Sequence, residues 1–202
     1  MDKIICIGKN YLKHAQELGD AVPTEPVYFM KPASTVLQLQ DESGILELPN
    51  WGECHHELEL VLRVDKIYGK LGFGSYTFGL DLTLRDVQTR MKKSGLPWER
   101  AKVFRNASVL GPWQPLSSLD QLLSTSFTLT VNNQVRQRGQ GRDMRWKPQE
   151  LLEDLLRLFP VCEQDVVFTG TPEGVAELKD GDHVVVEGGD VRYAFTCRKG
   201  NF

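Results

Sequence analysis

Between Glu57 and Val64 the chain reads ELELVLRV. Successive side chains of extended backbone point to opposite sides, so Leu58, Leu60, Leu62 and Val64 fall on one face of a strand and Glu57, Glu59, Val61 and Arg63 on the other. Tyr76 to Thr83 predicts a second strand. It runs into a helix from about Leu84 to Ser94, where Leu84, Val87 and Met91 recur at helical spacing. Apolar runs at Ile4 to Ile7, Val27 to Met30 and Val166 to Phe168 predict short strands. Phe127 to Arg136 predicts a hairpin in which Asn132 and Asn133 supply the positive φ angles of a tight turn. His183 to Glu187 and Val191 to Cys197 predict another, over Gly188-Gly189-Asp190. Tyr11 to Leu18 predicts a helix, capped by Asn10 and stopped by Gly19. Pro148 to Phe159 predicts a further helix, its proline tolerated in the first turn. Many short strands with a few modest helices, and no regular βαβ alternation, define a β-rich α+β fold.

The length of 202 residues suits one domain, 1–202, large enough for a proper core. Acids and bases are interspersed, with a formal net charge of -3. No basic stripe tracks along the chain, which excludes nucleic acid as an expected partner. Cys6, Cys54, Cys162 and Cys197 form no CxxC pair and read as buried, reduced thiols. The apolar run at Ile4 is too short for a signal-peptide core, and no run approaches a membrane span. A cytoplasmic protein is expected, with no membrane partner.

Carboxylates at i and i+2 of a strand lie on one side with Cα atoms roughly 6.5–7 Å apart. Glu57 and Glu59 are such a pair. Side by side they repel and raise one another's pKa unless something positive sits between them. Two readings fit: a solvated outer face of an edge strand, or a site for a hard, oxygen-loving cation such as Mg²⁺, Ca²⁺ or Mn²⁺. His55 and His56 break the alternation and read as strand-entry or surface residues, not ligands. Asp81, in GLDLTLRDVQ, is opposite in strand parity to its leucine neighbours. An aspartate within an apolar strand needs a partner. It could cap the following helix, but Thr83 suits that role better. Asp86 is explained by the helix dipole.

The runs CIGKNYLKHAQELG, VYFMKPAS, HHELEL, GLDLTLRDVQ, GLPWERAK and FTGTPEGV, in that order, resemble the fumarylacetoacetate hydrolase family. The likeness is greatest to its small single-domain branch of acylpyruvases and oxaloacetate-handling proteins, and it extends from Ile4 to about Val186. It implies a rolled, mixed β-sheet with a few short helices, a homodimer, and Mg²⁺ or Mn²⁺ in the site, with Ca²⁺ as an inactive occupant. It implies Glu57, Glu59 and Asp81 as metal ligands, in agreement with the residue-level reading. It further implies catalytic roles for His14, Glu17 and Lys102, and substrate-binding roles for Arg85, Gln88 and Thr171, with Lys31 a weaker candidate. By themselves, His14 and Glu17 read as a surface ion pair and Lys102 as a solvated charge; only the resemblance reverses this. The sequence departs from the family pattern between Val64 and Tyr76, where a short connection bearing Gly69, Gly72 and Gly74 stands in place of a longer helical segment.

The activity implied is action on a small 2-oxo acid through an enolate stabilised by the cation. The leading expectation is hydrolysis of an acylpyruvate. His14, oriented by Glu17, would act as general base, and Lys102 would stabilise the oxyanion. Arg85 and Gln88, at i and i+3, would hold a substrate carboxylate. Thr171 would offer a hydroxyl to an anion. Decarboxylation or keto–enol tautomerisation of oxaloacetate is the alternative, and a catalytically idle ligand-binding homologue is the second.

Overall fold

The computed structural model describes residues 1–17, 19 and 23–202. The ELELVLRV pattern becomes the strand Leu58–Ile67, which pairs antiparallel with Lys70–Asp81. These long strands lie inside the largest sheet. It runs from Val27–Pro32 at one edge through Lys3–Gly8, Val166–Phe168, Leu58–Ile67, Lys70–Asp81 and Ser108–Leu110 to Val36–Gln38, and Gln114–Pro115 also pairs with Lys70–Asp81. The sheet is mixed, with Lys3–Gly8 parallel to Val166–Phe168 and Val36–Gln38 parallel to Ser108–Leu110. A second sheet is ordered Gln134–Gln140, Ser126–Val131, His183–Gly188, Val191–Lys199 and Gly44–Leu48. A small third sheet joins Ala176–Glu177, Cys54–His56 and Thr83–Leu84. Asn132 and Asn133 have the positive φ angles expected of their hairpin turn.

The large sheet buries both faces. Ile5, Ile7, Leu58, Leu60, Leu62 and Phe78 point into the main core. There Phe78 meets Phe127 of the second sheet with ring centroids 4.9 Å apart. Ile4, Cys6, Val61, Val166 and Phe168 form a smaller cluster on the opposite face. This explains the continuous apolar run at Ile4 to Ile7: a strand covered on both sides has no solvent face to alternate with. It also overturns the solvated-edge reading of Glu57 and Glu59, which lie on the side of the smaller cluster and are themselves buried.

Other expectations are corrected. The stretch from Val64 to Tyr76 is not a loop: the strands continue to a turn at Tyr68 and Gly69, whose φ angles are 50° and 80°. The pairing register shifts between Arg63 and Val64, and Gly74 is the extra residue of that bulge. A Cβ there would lie 2.7 Å from Asp65 Oδ2, so glycine is what the close approach requires. His56 is wholly buried in a strand, not at the surface. Of the four cysteines Cys162 is exposed and the others buried, all free. The Asn10 side chain does not cap the helix Leu12–Glu17. Its amide donates to the carbonyls of Trp146 and Thr169. The predicted helix end at Leu18 lies outside the described residues. Two helices of under two turns, Glu99–Lys102 and Leu119–Ser124, had no periodic signal long enough to be seen.

The start of Lys3–Gly8 is tied to Val166–Phe168 through Asp165, a wholly buried residue. Its carboxylate accepts the Asp2, Lys3 and Cys162 backbone N–H groups and pairs with Lys3 Nζ at 2.7 Å. Burial works to raise its pKa, but the Lys3 side chain and these N–H groups outweigh it and hold the carboxyl below the ordinary aspartate value. A depressed folded-state pKa contributes stability above the unfolded value of about 3.9 and loses it as pH falls through the folded value. Asp165→Asn should therefore cost about 1–3 kcal/mol at pH 7, where an amide NH₂ must face N–H donors. In urea denaturation across pH, that difference should shrink as pH falls below about 4.

Candidate metal centre

Strand register assembles the centre. Glu59 stands opposite Gly79, and at the end of the ladder the Asp81 N–H donates to the Glu57 carbonyl at 3.0 Å. Residues directly opposite in an antiparallel pair share a face. Glu57, Glu59 and Asp81 thus project to the same side, with one oxygen from each within 4.8 Å of the others. All three are at most 5% exposed.

Three basic side chains close on this cluster. Lys102 Nζ donates to Asp81 Oδ2 at 2.5 Å, Thr83 Oγ1 at 2.6 Å and Glu57 Oε2 at 3.0 Å. Thr83 therefore anchors the lysine and does not cap the helix Arg85–Lys93, whose N-cap is Leu84 without a side-chain bond. Lys31 Nζ lies 2.5 Å from Asp81 Oδ1 and donates to the Ala107 and Leu82 carbonyls. Arg85 pairs with Glu57 through Nη2 and donates from Nη1 to Gln88 Oε1 at 2.6 Å. Burial opposes the charge on Glu57, but Lys102 and Arg85 prevail and hold its pKa well below the ordinary glutamate value. Burial likewise penalises the Lys102 ammonium, yet Asp81 and Glu57 hold its pKa above that of free lysine.

Glu59 differs. Its Oε2 accepts the Gly170 N–H at 2.6 Å, and it has no ion-pair partner among the described residues. Burial first, then the charges of Asp81 and Glu57, push its carboxyl well above the ordinary value. Asp81 Oδ1 is also buried and accepts no aligned hydrogen bond, close as Lys31 is. A buried carboxylate short of counter-charge, in an all-oxygen donor set, fits a hard divalent cation of the Mg²⁺ or Mn²⁺ type.

One cleft gathers most of the residues expected from sequence: His14, Glu57, Glu59, Asp81, Arg85, Gln88, Lys102 and Thr171 line it together. Lys31 is not among its lining residues; its ammonium is committed beneath Asp81. Glu17 does not line the cleft either. His14 Nδ1 faces Glu17 Oε2 at 3.2 Å, and the Glu17 carboxylate accepts the Gly174 N–H at 3.0 Å. His14 is 4% exposed whereas Glu17 is exposed, so the pair joins a buried ring to an acid at the surface. Sequence reasoning missed the Gly170 N–H, the Thr83 anchor, and the wall of Phe29 and Trp98, whose rings meet edge to face at 5.8 Å. None carries a local signal: each depends on which distant segment folds against it.

The model of the fumarylacetoacetate (FAA) hydrolase C-terminal family matches residues 3–196. The oxaloacetate tautomerase YcgM of Escherichia coli is 38% identical over 194 residues, covering 92% of this chain and 88% of that protein. The mitochondrial oxaloacetate tautomerase FAHD1 of Arabidopsis thaliana is 36% identical over 190 residues, covering 90% and 84%. Among solved structures, fumarylpyruvate hydrolase from Pseudomonas aeruginosa in complex with Mn²⁺ and pyruvate superposes with a TM-score of 0.87 at 30% identity, covering 99% of this chain and 91% of that one. The chain belongs to the fumarylacetoacetate hydrolase family, a family of enzymes, and has its β-rich fold with a curled mixed sheet.

The centre predicts a metal-dependent stability. Mn²⁺ at about a hundred times its dissociation constant should add about 2.7 kcal/mol, read as a rise in melting temperature. Glu59→Gln should abolish that rise. Without metal this variant should melt no lower than wild type, because the carboxylate it replaces has no ion pair to lose.

Proposed function

We propose that this chain binds one divalent cation, Mg²⁺ or Mn²⁺, through Glu57, Glu59 and Asp81 and catalyses keto–enol interconversion of oxaloacetate. The observation that carries this is the under-compensated Glu59 in the same cleft as His14, whose ring is held by a second acid. The E. coli and Arabidopsis relatives, both named oxaloacetate tautomerases, support this reaction over the acylpyruvate hydrolysis that the sequence put first.

A bound cation supplies a Lewis acid toward the 2-oxo and carboxylate oxygens of the substrate. The protein's own groups do the rest. With Nδ1 engaged by Glu17, Nε2 is the His14 nitrogen left to take a proton from the carbon beside the 2-oxo group and to return one. Glu17, fixed by the Gly174 N–H, holds the ring in place. The Arg85 Nε–H is buried with no hydrogen-bond partner and is available to a substrate carboxylate. Lys102 has spent its three N–H donors on Glu57, Asp81 and Thr83. It therefore acts through its charge, keeping Glu57 ionised, and not as the free oxyanion donor expected from sequence.

Decarboxylation of oxaloacetate needs the same electron sink and less of His14. Hydrolysis of an acylpyruvate is kept as a second reading by the fold neighbour named fumarylpyruvate hydrolase. The homodimer implied by the family likeness belongs to the same proposal, and light scattering at about twice 22.9 kDa checks it. No helix among the described residues is long and apolar enough to cross a membrane. The cytoplasmic location is likewise part of the proposal.

Purified protein with Mg²⁺ should speed the loss of enol absorbance from oxaloacetate. His14→Ala should lower that rate by ~10²–10⁴ while the Mn²⁺-induced rise in melting temperature persists. Faster cleavage of acetylpyruvate than tautomerisation of oxaloacetate would replace this reading by the hydrolase. Metal binding without turnover of either would make the chain an idle homologue.

A further inference from the structure

Gln137 sits in the strand Gln134–Gln140 of the second sheet, far in sequence from every residue of the centre, and is 1% exposed. Its amide makes four contacts. Oε1 accepts the Leu58 N–H at 2.9 Å and faces His56 Nδ1 at 2.8 Å, while Nε2 donates to Thr171 Oγ1 at 2.8 Å and to the Pro172 carbonyl at 2.9 Å. The two ends of an amide are often hard to tell apart. Here the Leu58 N–H can only donate and the Pro172 carbonyl can only accept, so the orientation is fixed.

Two protons are thereby placed. Oε1 has no proton to give, so His56 carries its own on Nδ1. Burial lowers the His56 pKa to about 4, which keeps the ring neutral at pH 7. Thr171 receives an N–H on its oxygen and must direct its own proton elsewhere. Its one protein acceptor is the Pro172 carbonyl at 3.4 Å, a long bond that a nearer anionic oxygen in the cleft would displace. Thr171 also lines the cleft. Its O–H is therefore offered to the cleft as a donor.

We infer that Gln137 is a positioning residue: it sets the Thr171 hydroxyl as a donor to an anionic oxygen of the substrate, and it ties the Thr171 loop to Leu58, between the two glutamates of the centre. The inference rests on the proposed reading of the cleft as a 2-oxo acid site. Its signal in the sequence is nil, since QVRQRGQ offers several equivalent glutamines and only the fold selects one.

The test is a double-mutant cycle on the full chain. It uses Thr171→Val, Gln137→Met and the pair, with Thr171→Ser as a hydroxyl-retaining control. Readouts are KM and kcat for oxaloacetate, the inhibition constant of oxalate, and the Mn²⁺-induced rise in melting temperature. Thr171→Val should raise KM and the oxalate constant about tenfold, the loss of one hydrogen bond to a charged group. Thr171→Ser should not. Gln137→Met should match Thr171→Val, keep most of kcat and the Mn²⁺ response, and add nothing in the double variant. If Gln137→Met does not fold, Gln137→Glu, which keeps an acceptor for Leu58, takes its place in the same cycle. Additive effects, or a Gln137 variant that loses melting temperature and Mn²⁺ response with KM unchanged, would overturn the inference while leaving the cleft reading intact. No effect of Thr171→Val on oxalate would remove Thr171 from the substrate site and overturn the inference, whereas a wild-type protein that neither turns over oxaloacetate nor binds oxalate would overturn the cleft reading itself.

Discussion

Three carboxylates within 4.8 Å of one another, all closed off from water, set the electrostatic problem around which this site is arranged. At that separation each pair of charges costs about 3–4 kcal/mol at an effective dielectric of about 20. The chain meets part of the cost with Lys102, Lys31 and Arg85. Their number equals that of the acids, but their placement does not match. All three serve Glu57 and Asp81, and Glu59 is left with a backbone N–H. A site built only for structure would have no reason to leave that imbalance. The divalent cation proposed for this centre would supply the missing charge.

Holding like charges together requires a support that cannot relax away. The strands Leu58–Ile67 and Lys70–Asp81 provide it, because apolar side chains cover the sheet on both faces. The loop that follows Val166–Phe168 adds the rest. Thr169 bonds the Leu60 carbonyl through both N–H and Oγ1, the Gly170 N–H meets Glu59, Thr171 enters the cleft, and the Gly174 N–H holds Glu17. Gly170 has φ +100°, and a Cβ there would lie 2.7 Å from Asn10 Cβ, so only glycine lets this loop approach. A single loop thus sets an expected metal ligand, a cleft hydroxyl and the acid behind His14 in fixed relation.

Much of this was legible in the chain. The leucines of ELELVLRV fix strand parity, and parity alone puts Glu57 with Glu59 and sets Asp81 apart from its leucine neighbours. What parity could not say is that the polar face is buried. Alternation normally marks a face turned to water, and here that face is closed around the glutamates by Lys102, Arg85 and His14, from segments far along the chain in either direction. The same limit hid the counter-ions. Lys31 and Lys102 look like ordinary surface lysines, and only tertiary packing brings both ammonium groups onto Asp81. The glycines after Val64 were misread because glycine marks loops more often than bulges, and the cross-strand Asp65 that makes Gly74 necessary is not visible as a neighbour in sequence. Thr83 looked like a helix cap because its hydroxyl and position suit one; the Lys102 ammonium makes the stronger claim on it.

The family's reactions share one demand, a carbanion beside a 2-oxo group, and His14 with its acid would serve each of them. The protein must therefore discriminate elsewhere, by what it does with the far end of the substrate. Arg85 and Lys102 line the cleft beside the three carboxylates of the centre. A bound divalent cation would make that balance more positive. An acetyl-type tail brings only the one carboxylate of its 2-oxo acid end to such a field, whereas a second carboxylate is drawn into it with these basic groups close by. Phe29 and Trp98 shield one wall from water, which strengthens that attraction. On the proposed reading, charge at the far end of the cleft would separate a dicarboxylate from a monocarboxylate before any bond is made or broken, whether the proton goes to carbon, to oxygen or to water.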